Sequence, residues 1–452
     1  MARLSEPTIG LPYDPASQVT NILHQLTATS TQINQAAYAY NGVGNRTSLT
    51  DRRGAQAFSY DALDRLTSAS HPLLGTAQSF AYDPVGNRTT GGSVVNSGNQ
   101  LTADSNFGYQ YDDNGNLTRK TLLATGNFTA YTYDAENRLT KVEEFAAGNP
   151  TPAATSTYRY DGLGRRIEKI ANGQTKRYIY DGEDILLEYD GANVLQTRYT
   201  HGPGIDEPIT VTKGGATYFY RQDGLGTVTD LTDSAGMTAK SYAYDAYGNT
   251  LESPGTLEQP YTYTGREFDA ESGLLYYRAR YYDPVIGRFL SKDPFGLENG
   301  PNAYMYGFNS PVSFFDPLGL TTWPACGPIS SGFGRRVDPK TGKSGKEHKG
   351  VDIAVPYGTD IVASDTGTVT RAGKASSGEN RVEVKHPDGS TSVYRHVNPS
   401  VQKGAVVQEG GSIGTTDSSG FQTGPHLHYE YIDPQNKPID PANHLPPTCG
   451  PC

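Results

Sequence analysis

Tyrosine and polar residues alternate along the chain between Tyr38 and Tyr189, where aromatic side chains at positions i and i+2 precede an aspartate or asparagine. In one such pair, Tyr158 and Tyr160, both rings lie on one face of a predicted strand because side chains alternate between the faces of a sheet. A turn of the type Asp-x-x-Gly-Asn follows, and an Arg-Leu-Thr segment then predicts a second strand. The pattern therefore predicts a β-hairpin in each unit.

The hairpin phrase returns at intervals of roughly 20–30 residues, which is typical of repeat architectures. Its copies are YAYNGVGNRTSL, FSYDALDRLTSA, FAYDPVGNRTTG, YQYDDNGNLTRK, YTYDAENRLTKV, YRYDGLGRRIEK and YIYDGEDILLEY. Stacked hairpins predict a long twisted sheet whose edges must be paired or covered. An aromatic ladder also suits glycan binding, but rings at one fixed place in every copy favour a role as cross-strand packing partners.

The pattern changes after Leu320, where the repeat phrase stops and six of the nine histidines follow. Short segments that carry Val and Ile are separated there by Gly, Pro, Asp and Ser. They are GVDIAV, DIVASDTGTVTRAG, RVEVKH, STSVYRHV and PHLHYEYI. This second region predicts a compact antiparallel β domain.

The composition also favours strands, since the 452 residues include 52 Gly, 29 Pro and 32 Tyr. The formal net charge is −10, with 25 basic and 35 acidic residues up to Leu320 and 13 of each after it. No basic face is indicated, so no nucleic-acid partner is expected. No stretch approaches the ~20 apolar residues of a membrane helix. The first residues lack the apolar run of a secretory signal.

The three cysteines lie at the two ends of the second region, as Cys326, Cys449 and Cys452. An odd number cannot all pair within the chain. A disulfide between Cys326 and Cys449, a link between Cys449 and Cys452, and free thiols are the alternatives.

Histidine and aspartate side chains in the second region form a ligand set for zinc. In PHLHYEY, residues i and i+2 share a strand face, so His426, His428 and Glu430 lie on one side. His348 and Asp352 of HKGVD complete the predicted ligands together with His428. Two imidazoles and one carboxylate that leave a fourth position open are typical of a catalytic site with one Zn²⁺.

His396 and His426 are the predicted catalytic histidines. Zinc lowers the pKa of a water and polarises a carbonyl, so amide hydrolysis needs groups that accept a proton and stabilise the oxyanion. We expect both imidazoles to do this, and Tyr394 to orient His396 from the same strand face. The remaining histidines are expected to be ordinary surface or core residues: His24, His71, His201, His386 and His444.

The repeat phrases resemble the YD repeats of rearrangement-hotspot and teneurin-like proteins, whose sheets spiral into a hollow shell. The resemblance covers most of residues 30–320. Its most specific segments resemble the core domain that plugs such a shell, and they are DGLGTVTDLTDSAGMTAKSYAYDAYGNTL, YTGREFDAESGLLYYRARYYDPVIGRFLSKDPFGL and NAYMYGFNSPVSFFDPLGL. Because the repeats are few for a shell, the chain is a fragment, a short variant or one piece of a split assembly.

The zinc-site residues resemble those of the lysostaphin-like, LytM-type zinc endopeptidases that cut peptidoglycan cross-bridges. The family's H-x-x-x-D matches His348 to Asp352, its H-x-H matches His426 to His428, and its intervening histidine matches His396. The resemblance covers roughly residues 330–445 and departs at SSGENRVEV, where relatives often have a Tyr-Gly-Asn turn. It implies that the second region is a zinc peptidase.

The predicted fold is all-β: a YD-repeat β-hairpin spiral sheet that forms a partial shell, followed by a compact antiparallel β-sheet zinc peptidase domain. The predicted division is a lead segment (1–29), the repeat sheet (30–205), a core domain (206–320), a linker (321–329), the peptidase domain (330–445) and a Cys-containing tail (446–452).

Two Asp-Pro-x-Gly-Leu phrases, starting at Asp293 and Asp316, stand at the end of the first region. In the resembling family the second phrase is an autoproteolysis signal, which implies cleavage between Leu320 and Thr321. Two adjacent carboxylates titrate differently, so one holds a proton while the other activates water. Asp293 and Asp316 are the predicted pair, with Arg288 as charge partner or bond positioner. Asp-Pro-x-Gly is also an ordinary turn sequence.

These features predict a polymorphic-toxin type protein that is exported, cleaves itself and releases a zinc-dependent endopeptidase against peptidoglycan peptides. One alternative is a surface or adhesion protein whose last domain only binds cell wall. Another is a housekeeping peptidase that remodels the producer's own wall. An immunity protein and a further shell or secretion component are candidate partners, and no membrane span is expected.

Overall fold

A computed structural model of the chain divides into two compact units, Met1–Pro294 with Asn302–Leu320, and Phe295–Pro301 with Thr321–Cys452. The structure describes residues 12, 14, 18–26, 29–202, 206–294, 302–316, 319, 329–337, 344–364, 367–375, 378–386, 389–407, 412–420 and 424–441. In that part of the chain, no helix has the length and apolar character needed to span a bilayer.

The described part of the first unit consists mainly of antiparallel strands that pair in sequence order. Its first sheet has six strands: β1 (Asn21–Gln25), β2 (Gln32–Tyr40), β3 (Arg46–Asp51), β4 (Gly54–Tyr60), β5 (Leu66–Ala69) and β6 (Gln78–Ser79). Its second sheet has fifteen: β7 (Val94–Val95), β8 (Leu101–Ala103), β9 (Phe107–Tyr111), β10 (Leu117–Leu122), β11 (Phe128–Tyr133), β12 (Leu139–Phe145), β13 (Ala154–Tyr160), β14 (Arg166–Ala171), β15 (Gln174–Asp181), β16 (Asp184–Asp190), β17 (Leu195–His201), β18 (Pro208–Lys213), β19 (Ala216–Gln222), β20 (Val228–Thr232) and β21 (Thr238–Ser241). The pairing of β17 with β18 continues this sheet beyond the predicted end of the repeat region at position 205.

Shorter elements complete the first unit. Two strands pair as β22 (Ala243–Tyr244) and β23 (Thr250–Glu252), and four form a sheet as β24 (Glu267–Asp269), β25 (Leu274–Tyr277), β26 (Arg280–Asp283) and β27 (Arg288–Phe289). Two 3-10 turns lie at Tyr263–Gly265 and Gly307–Asn309.

The second tyrosine of a repeat pair ties its hairpin to the one before it. Its hydroxyl donates to the backbone carbonyl of the first residue in the preceding hairpin's second strand, at 2.5–3.0 Å. The donors and acceptors are Tyr60 to Arg46, Tyr82 to Leu66, Tyr133 to Leu117, Tyr160 to Leu139 and Tyr180 to Arg166. The repeated tyrosines therefore link neighbouring hairpins.

The aspartate of each phrase organises the turn that follows. Asp161 Oδ1 accepts the backbone N–H groups of Leu163 and Arg165, and its Oδ2 accepts the Arg165 side chain. Burial opposes the charged form of Asp161, but these hydrogen bonds outweigh it and lower its pKa. The turn is thus held by side-chain contacts that the repeat itself encodes.

The four-stranded sheet packs on the inward rings of the long sheet. Tyr131 and Tyr158 share a buried cluster with Tyr276 and Tyr281. The buried guanidinium of Arg166 also forms ion pairs with Glu267 and Asp269. These contacts hold β24–β27 against strands that lie about a hundred residues earlier.

The described strands of the second unit form three sheets. They are β28 (Ile329–Ser331), β29 (Gly334–Val337), β30 (Ser344–His348), β31 (Val351–Ile353), β32 (Asp360–Val362), β33 (Gly367–Lys374), β34 (Asn380–Lys385), β35 (Thr391–Arg395), β36 (Val397–Pro399), β37 (Val406–Val407), β38 (Ser412–Thr416), β39 (Leu427–Ile432) and β40 (Pro438–Ile439). The main sheet has the order β28-β31-β39-β35-β34-β33-β37, with β40 beside β39. Two smaller sheets are β29-β30 and β32-β38-β36.

One buried cluster fills the second unit, with Val351, Ile353, Val382, Tyr394 and Tyr429 among its members. On β39, Leu427 and Tyr429 point into this cluster, so His428 and Glu430 lie on the opposite face. The prediction of an all-β fold for both regions is confirmed.

Candidate metal centre

Three strands bring the predicted ligands together. β30 ends at His348, and Asp352 on β31 lies directly opposite His428 on β39 in an antiparallel pair. Gly350 permits the close approach of these elements, because a Cβ at that position would lie 2.2 Å from the Tyr429 carbonyl oxygen. His348 and Asp352, the first and last residues of HKGVD, therefore both lie beside β39.

The three side chains converge on one point. His348 Nε2 lies 3.2 Å from Asp352 Oδ1 and 3.0 Å from His428 Nδ1. His428 Nδ1 lies 2.7 Å from the same Asp352 oxygen. In the described part of the chain, this is the group of histidine and carboxylate side chains with metal-binding spacing.

The outer nitrogens of both histidines face acceptors. His348 Nδ1 donates to the carbonyl of Gly332 at 2.7 Å, and His428 Nε2 donates to Glu430 Oε1 at 3.0 Å. A neutral imidazole carries one N–H, so the inner nitrogens present lone pairs. Such outer hydrogen bonds are typical of histidines that bind a metal.

The donor set fits zinc. Three inner atoms with lone pairs repel one another unless a shared cation lies among them. Ligands at tetrahedral Zn²⁺ are about 3.3 Å apart. The separations here are 2.7–3.2 Å, so a small outward movement of the side chains would admit the ion. Without a metal, a proton takes the place of the cation between these atoms. Burial opposes the charged form of Asp352, yet the hydrogen bonds that His348 and His428 donate when their inner nitrogens are protonated hold its pKa far below the usual range. Burial likewise opposes charging of His428, but Asp352 and Glu430 raise its pKa.

A chain of charged groups supports His428 from behind. Glu430 Oε1 also accepts Arg395 Nε at 2.7 Å, and Arg395 Nη1 donates to Glu379 Oε1 at 2.7 Å. Burial raises the pKa of Glu430, but His428 and Arg395 outweigh it and lower that pKa to about 2. Glu430 is therefore an anion beside His428 at neutral pH. Its spacing from His428 was visible in the sequence, but the contribution of Arg395 was not.

The two predicted catalytic histidines lie beside the ligands. The rings of His396 and His426 are 4.8 Å apart, and His426 Nε2 is 3.7 Å from Asp352 Oδ1. His396 Nδ1 donates to the Ser419 carbonyl and His426 Nδ1 to the Gly424 carbonyl, each at 2.8 Å. Both Nε2 atoms are therefore free to accept a proton. Burial lowers the pKa of His396, which keeps it neutral.

The expectation that Tyr394 orients His396 is wrong. The Tyr394 side chain is fully buried, and its hydroxyl contacts Ser364 and Ser392 in the core. His396 leaves the strand with a φ of 64°, so the alternation of faces ends there. The backbone groups of His396 are held instead by Asn380 and Asp417.

The SSGENRVEV segment supports this strained residue. Asn380 Nδ2 donates to Asp417 Oδ2 at 2.6 Å, and its backbone N–H donates to Ser419 Oγ at 2.7 Å. The Ser419 carbonyl in turn accepts a hydrogen bond from His396 Nδ1. The departure from the family pattern thus lies in a segment that positions His396.

Four of the remaining histidines contact other protein groups. They are His24 at the Gln222 carbonyl, His71 at the Leu73 backbone N–H, His201 at the Ile185 carbonyl and His386 at Ser392 Oγ. His444 and all three cysteines lie outside the described residues.

The two predicted cleavage aspartates meet at an arginine in the first unit. Arg280 Nη2 lies 3.0 Å from Asp293 Oδ2 and 3.2 Å from Asp316 Oδ2, and all three side chains are buried. Arg280 Nε also donates to the Gly319 carbonyl at 2.5 Å. Leu320 and Thr321 lie outside the described residues.

Arg280 occupies the position that we predicted for Arg288. The Arg288 guanidinium instead donates to the Asn99 carbonyl at 2.5 Å and lies beside the Tyr304 ring. Both arginines belong to the same four-stranded sheet, on β26 and β27. Spacing along the sequence favoured Arg288, because it is nearer to Asp293 than Arg280 is.

Known proteins resemble the two units separately. A family model of the teneurin YD-shell matches residues 5–312, and a model of peptidase family M23 matches residues 346–441. The tRNA3(Ser)-specific nuclease WapA of Bacillus spizizenii is 36% identical over 284 residues, which cover 58% of this chain and 12% of WapA. Double-stranded DNA deaminase toxin A of Burkholderia cenocepacia is 30% identical over 333 residues, or 64% of this chain and 23% of the relative.

A solved structure shares the fold of the first unit. The crystal structure of TcdB2-TccC3-TEV aligns with a TM-score of 0.57 and 22% identity over 69% of this chain and 18% of that chain. The chain thus spans less than a quarter of each of these proteins. The predicted resemblances are confirmed: the chain belongs to the teneurin YD-shell family and carries a LytM-type domain of peptidase family M23.

Proposed function

We propose that the second unit is a zinc-dependent endopeptidase that hydrolyses peptide cross-links of bacterial peptidoglycan. The observation that carries this proposal is the convergence of His348, Asp352 and His428, whose inner atoms lie 2.7–3.2 Å apart while hydrogen bonds occupy the outer nitrogens. Three protein ligands are typical of catalytic zinc, whereas structural zinc takes four.

The residues of the site divide the chemistry. Zinc bound by His348, Asp352 and His428 would supply a Lewis acid for the peptide carbonyl and would acidify a water. His426 Nε2, which lies 3.7 Å from Asp352 Oδ1, would accept the proton of the attacking water. His396, whose ring centroid lies 4.8 Å from that of His426, would receive this proton and donate a hydrogen bond from Nε2 to the developing oxyanion. The Ser419 and Gly424 carbonyls keep both rings in the required tautomer.

We further propose that the first unit is the carrier of a toxin. Relatives that match this chain are named as a nuclease and a deaminase toxin, which supports a toxin role for proteins with this repeat unit. The peptidase match lies outside the residues matched by the repeat family. Export to a cell wall by an unassigned route, an immunity protein and a further shell or secretion component follow from this proposal.

Release of the peptidase by autoproteolysis after Leu320 is part of the same proposal. The buried contact of Arg280 with Asp293 and Asp316 supports it, because the guanidinium offsets repulsion between two carboxylates. The contact from Arg280 to the Gly319 carbonyl reaches the residue before Leu320. One aspartate would activate water and the other would protonate the leaving amine.

Digestion of purified sacculi tests the proposed function. The full chain should release soluble peptides when zinc is present, and a chelator should stop release until zinc is restored. Mass spectrometry of the fragments identifies the bond. His428→Ala should abolish release, while His386→Gln, a histidine of the same unit outside the site, should retain it. Wall binding by the zinc-loaded protein without any hydrolysis would favour the adhesion alternative.

A further inference from the structure

A cavity of about 380 Å³ lies inside the first unit, and nothing in the proposed reactions uses it. Its walls come from the end of the six-stranded sheet, the start of the fifteen-stranded sheet and the segment around β27. Both Arg88 and Arg288 line it. The volume is that of a small-molecule site.

The Arg88 guanidinium is built into one wall. Its Cζ lies 3.5 Å from the centroid of the Tyr247 ring and 5.0 Å from that of Phe80. Gly287, with a φ of 65°, leaves the space that the guanidinium fills, since a Cβ there would lie 1.9 Å from Arg88 Nη2. Arg88 Nε and Nη2 are inaccessible to solvent and have no hydrogen-bond partner among the described residues.

Arg288 on β27 also has a buried N–H group without a hydrogen-bond partner among the described residues. Its Nη2 donates to the Asn99 carbonyl, but its Nε is buried without a partner in the described part of the chain. Burial lowers the pKa of Arg288, and the charge of Arg88 adds to that shift. Two like charges therefore lie within each other's field.

Other buried arginines of this unit are paired with carboxylates. Arg166 pairs with Glu267 and Asp269, and Arg280 pairs with Asp293 and Asp316. No described carboxylate forms an ion pair with Arg88 or Arg288. Aromatic contacts compensate only part of the desolvation of a guanidinium. The two arginines thus lack the counter-charge that the same fold supplies elsewhere.

Among the described residues, Asp104 is the one carboxylate that lines the cavity, and it is already engaged. Asp104 Oδ1 accepts the backbone N–H groups of Asn106 and Phe107, and its Oδ2 accepts the Tyr109 hydroxyl at 2.5 Å. Even when the full negative charge of Asp104 is counted, the two guanidinium groups leave the cavity lining with a net positive charge. The excess charge favours an anionic ligand.

We propose that this cavity binds a small oxyanion, a phosphate or carboxylate group, between Arg88 and Arg288. Planar guanidinium groups match the oxygens of both classes and remain charged at any physiological pH. The ligand connects the β6–β7 connection to β27, about two hundred residues later in the chain. Binding therefore stabilises the folded first unit as well as filling the cavity.

Calorimetric titration of the full chain with inorganic phosphate, and separately with acetate, tests this inference at constant ionic strength set with chloride. We expect one bound anion per chain and at least a tenfold loss of affinity in Arg88→Met. Arg159→Met is the matched control, because Arg159 is a sheet arginine whose side chain is 75% exposed, and it should bind as the wild type does. Phosphate bound at zinc in the second unit would be unaffected by Arg88→Met.

The separate titrations with phosphate and acetate distinguish the chemical class of the ligand. Saturation by phosphate alone assigns a phosphate ligand, and comparable binding of acetate assigns a carboxylate. Absence of binding by both probes, or equal affinity of wild type and Arg88→Met, overturns the proposal. If Arg88→Met does not fold, Arg288→Met takes its place and should show the same loss of phosphate affinity. Wild-type affinity in that variant would overturn the proposal.

Discussion

His428 Nε2 lies 3.0 Å from Oε1 of Glu430, two residues farther along the same strand. A carboxylate at this nitrogen places the hydrogen on Nε2 and leaves the Nδ1 lone pair for the proposed zinc ion. The same Glu430 oxygen is fixed by Arg395 at 2.7 Å. The orientation of one ligand therefore depends on a charge outside the ligand set.

Glu430→Gln should weaken zinc binding by about tenfold or more, because it removes the negative charge that makes His428 a more basic metal ligand. Competition with a zinc-chelating dye measures this directly. Glu383→Gln is a matched control, since Glu383 pairs with Arg381 on β34 away from the ligands. Equal affinities of the two variants would show that Glu430 does not orient His428.

The same substitution should change the pH dependence of stability in the metal-free protein. The folded-state pKa of Glu430 is lowered to about 2 from 4.5, so its stabilising effect is present above 4.5 and is lost as pH falls towards 2. We expect Glu430→Gln to lower the free energy of unfolding by up to about 3 kcal/mol at pH 6. Denaturant titrations at several pH values should show that the difference from wild type shrinks below pH 4.5. A constant difference would contradict this assignment.

The sequence predicted which side chains meet at the candidate metal centre better than it predicted their surroundings. His348, Asp352 and His428 belong to H-x-x-x-D and H-x-H motifs, which can be recognised from residue type and spacing alone. The Gly332, Ser419 and Gly424 carbonyls that fix the rings are backbone groups, which every residue offers, so no sequence signal marks them.

The misassigned residues have local causes. Strand alternation predicted that Tyr394 and His396 share a face, but the left-handed backbone at His396 ends the alternation. Arg288 was the predicted partner of the aspartates, but position in the chain does not show which arginine of an antiparallel sheet points at them. The hairpin repeats were predictable because each copy encodes its own turn, whereas packing of β24–β27 on the long sheet depends on contacts between distant residues.

His396→Ala should separate catalysis from metal binding. The rate of peptide release should fall by about 10²–10⁴-fold, since the ring handles a proton or stabilises the oxyanion. Zinc affinity should change little, because His396 is not one of the three converging residues. Rate and zinc content measured on one preparation test both statements. Parallel loss of zinc would make His396 a ligand and change the proposed division of roles.

Arg280 and Arg288 provide a direct comparison for the proposed autoproteolysis. Arg280→Lys should slow formation of the fragment that begins at Thr321, because lysine lacks the several donors that hold Asp293, Asp316 and the Gly319 carbonyl together. Arg288→Lys should leave its rate close to wild type. Intact-mass measurements over time after synthesis follow the fragment. Asp316→Asn should prevent its formation, and persistence of the fragment in that variant would exclude Asp316 from the reaction.

Tyr158 and Tyr160 are two residues apart on β13 but differ in what their hydroxyls do. The Tyr160 hydroxyl donates to the Leu139 carbonyl at 2.6 Å, whereas the buried Tyr158 hydroxyl has no hydrogen-bond partner among the described residues. Tyr160→Phe should therefore lower the free energy of unfolding of the first unit by about 1–2 kcal/mol, because it leaves a carbonyl unpaired. Tyr158→Phe should be neutral or stabilising, since it removes a buried polar group that has no partner. Urea unfolding of both variants, followed by circular dichroism, makes the comparison. Equal destabilisation would mean that the rings, and not the hydroxyl contacts between hairpins, supply the stability of the repeat.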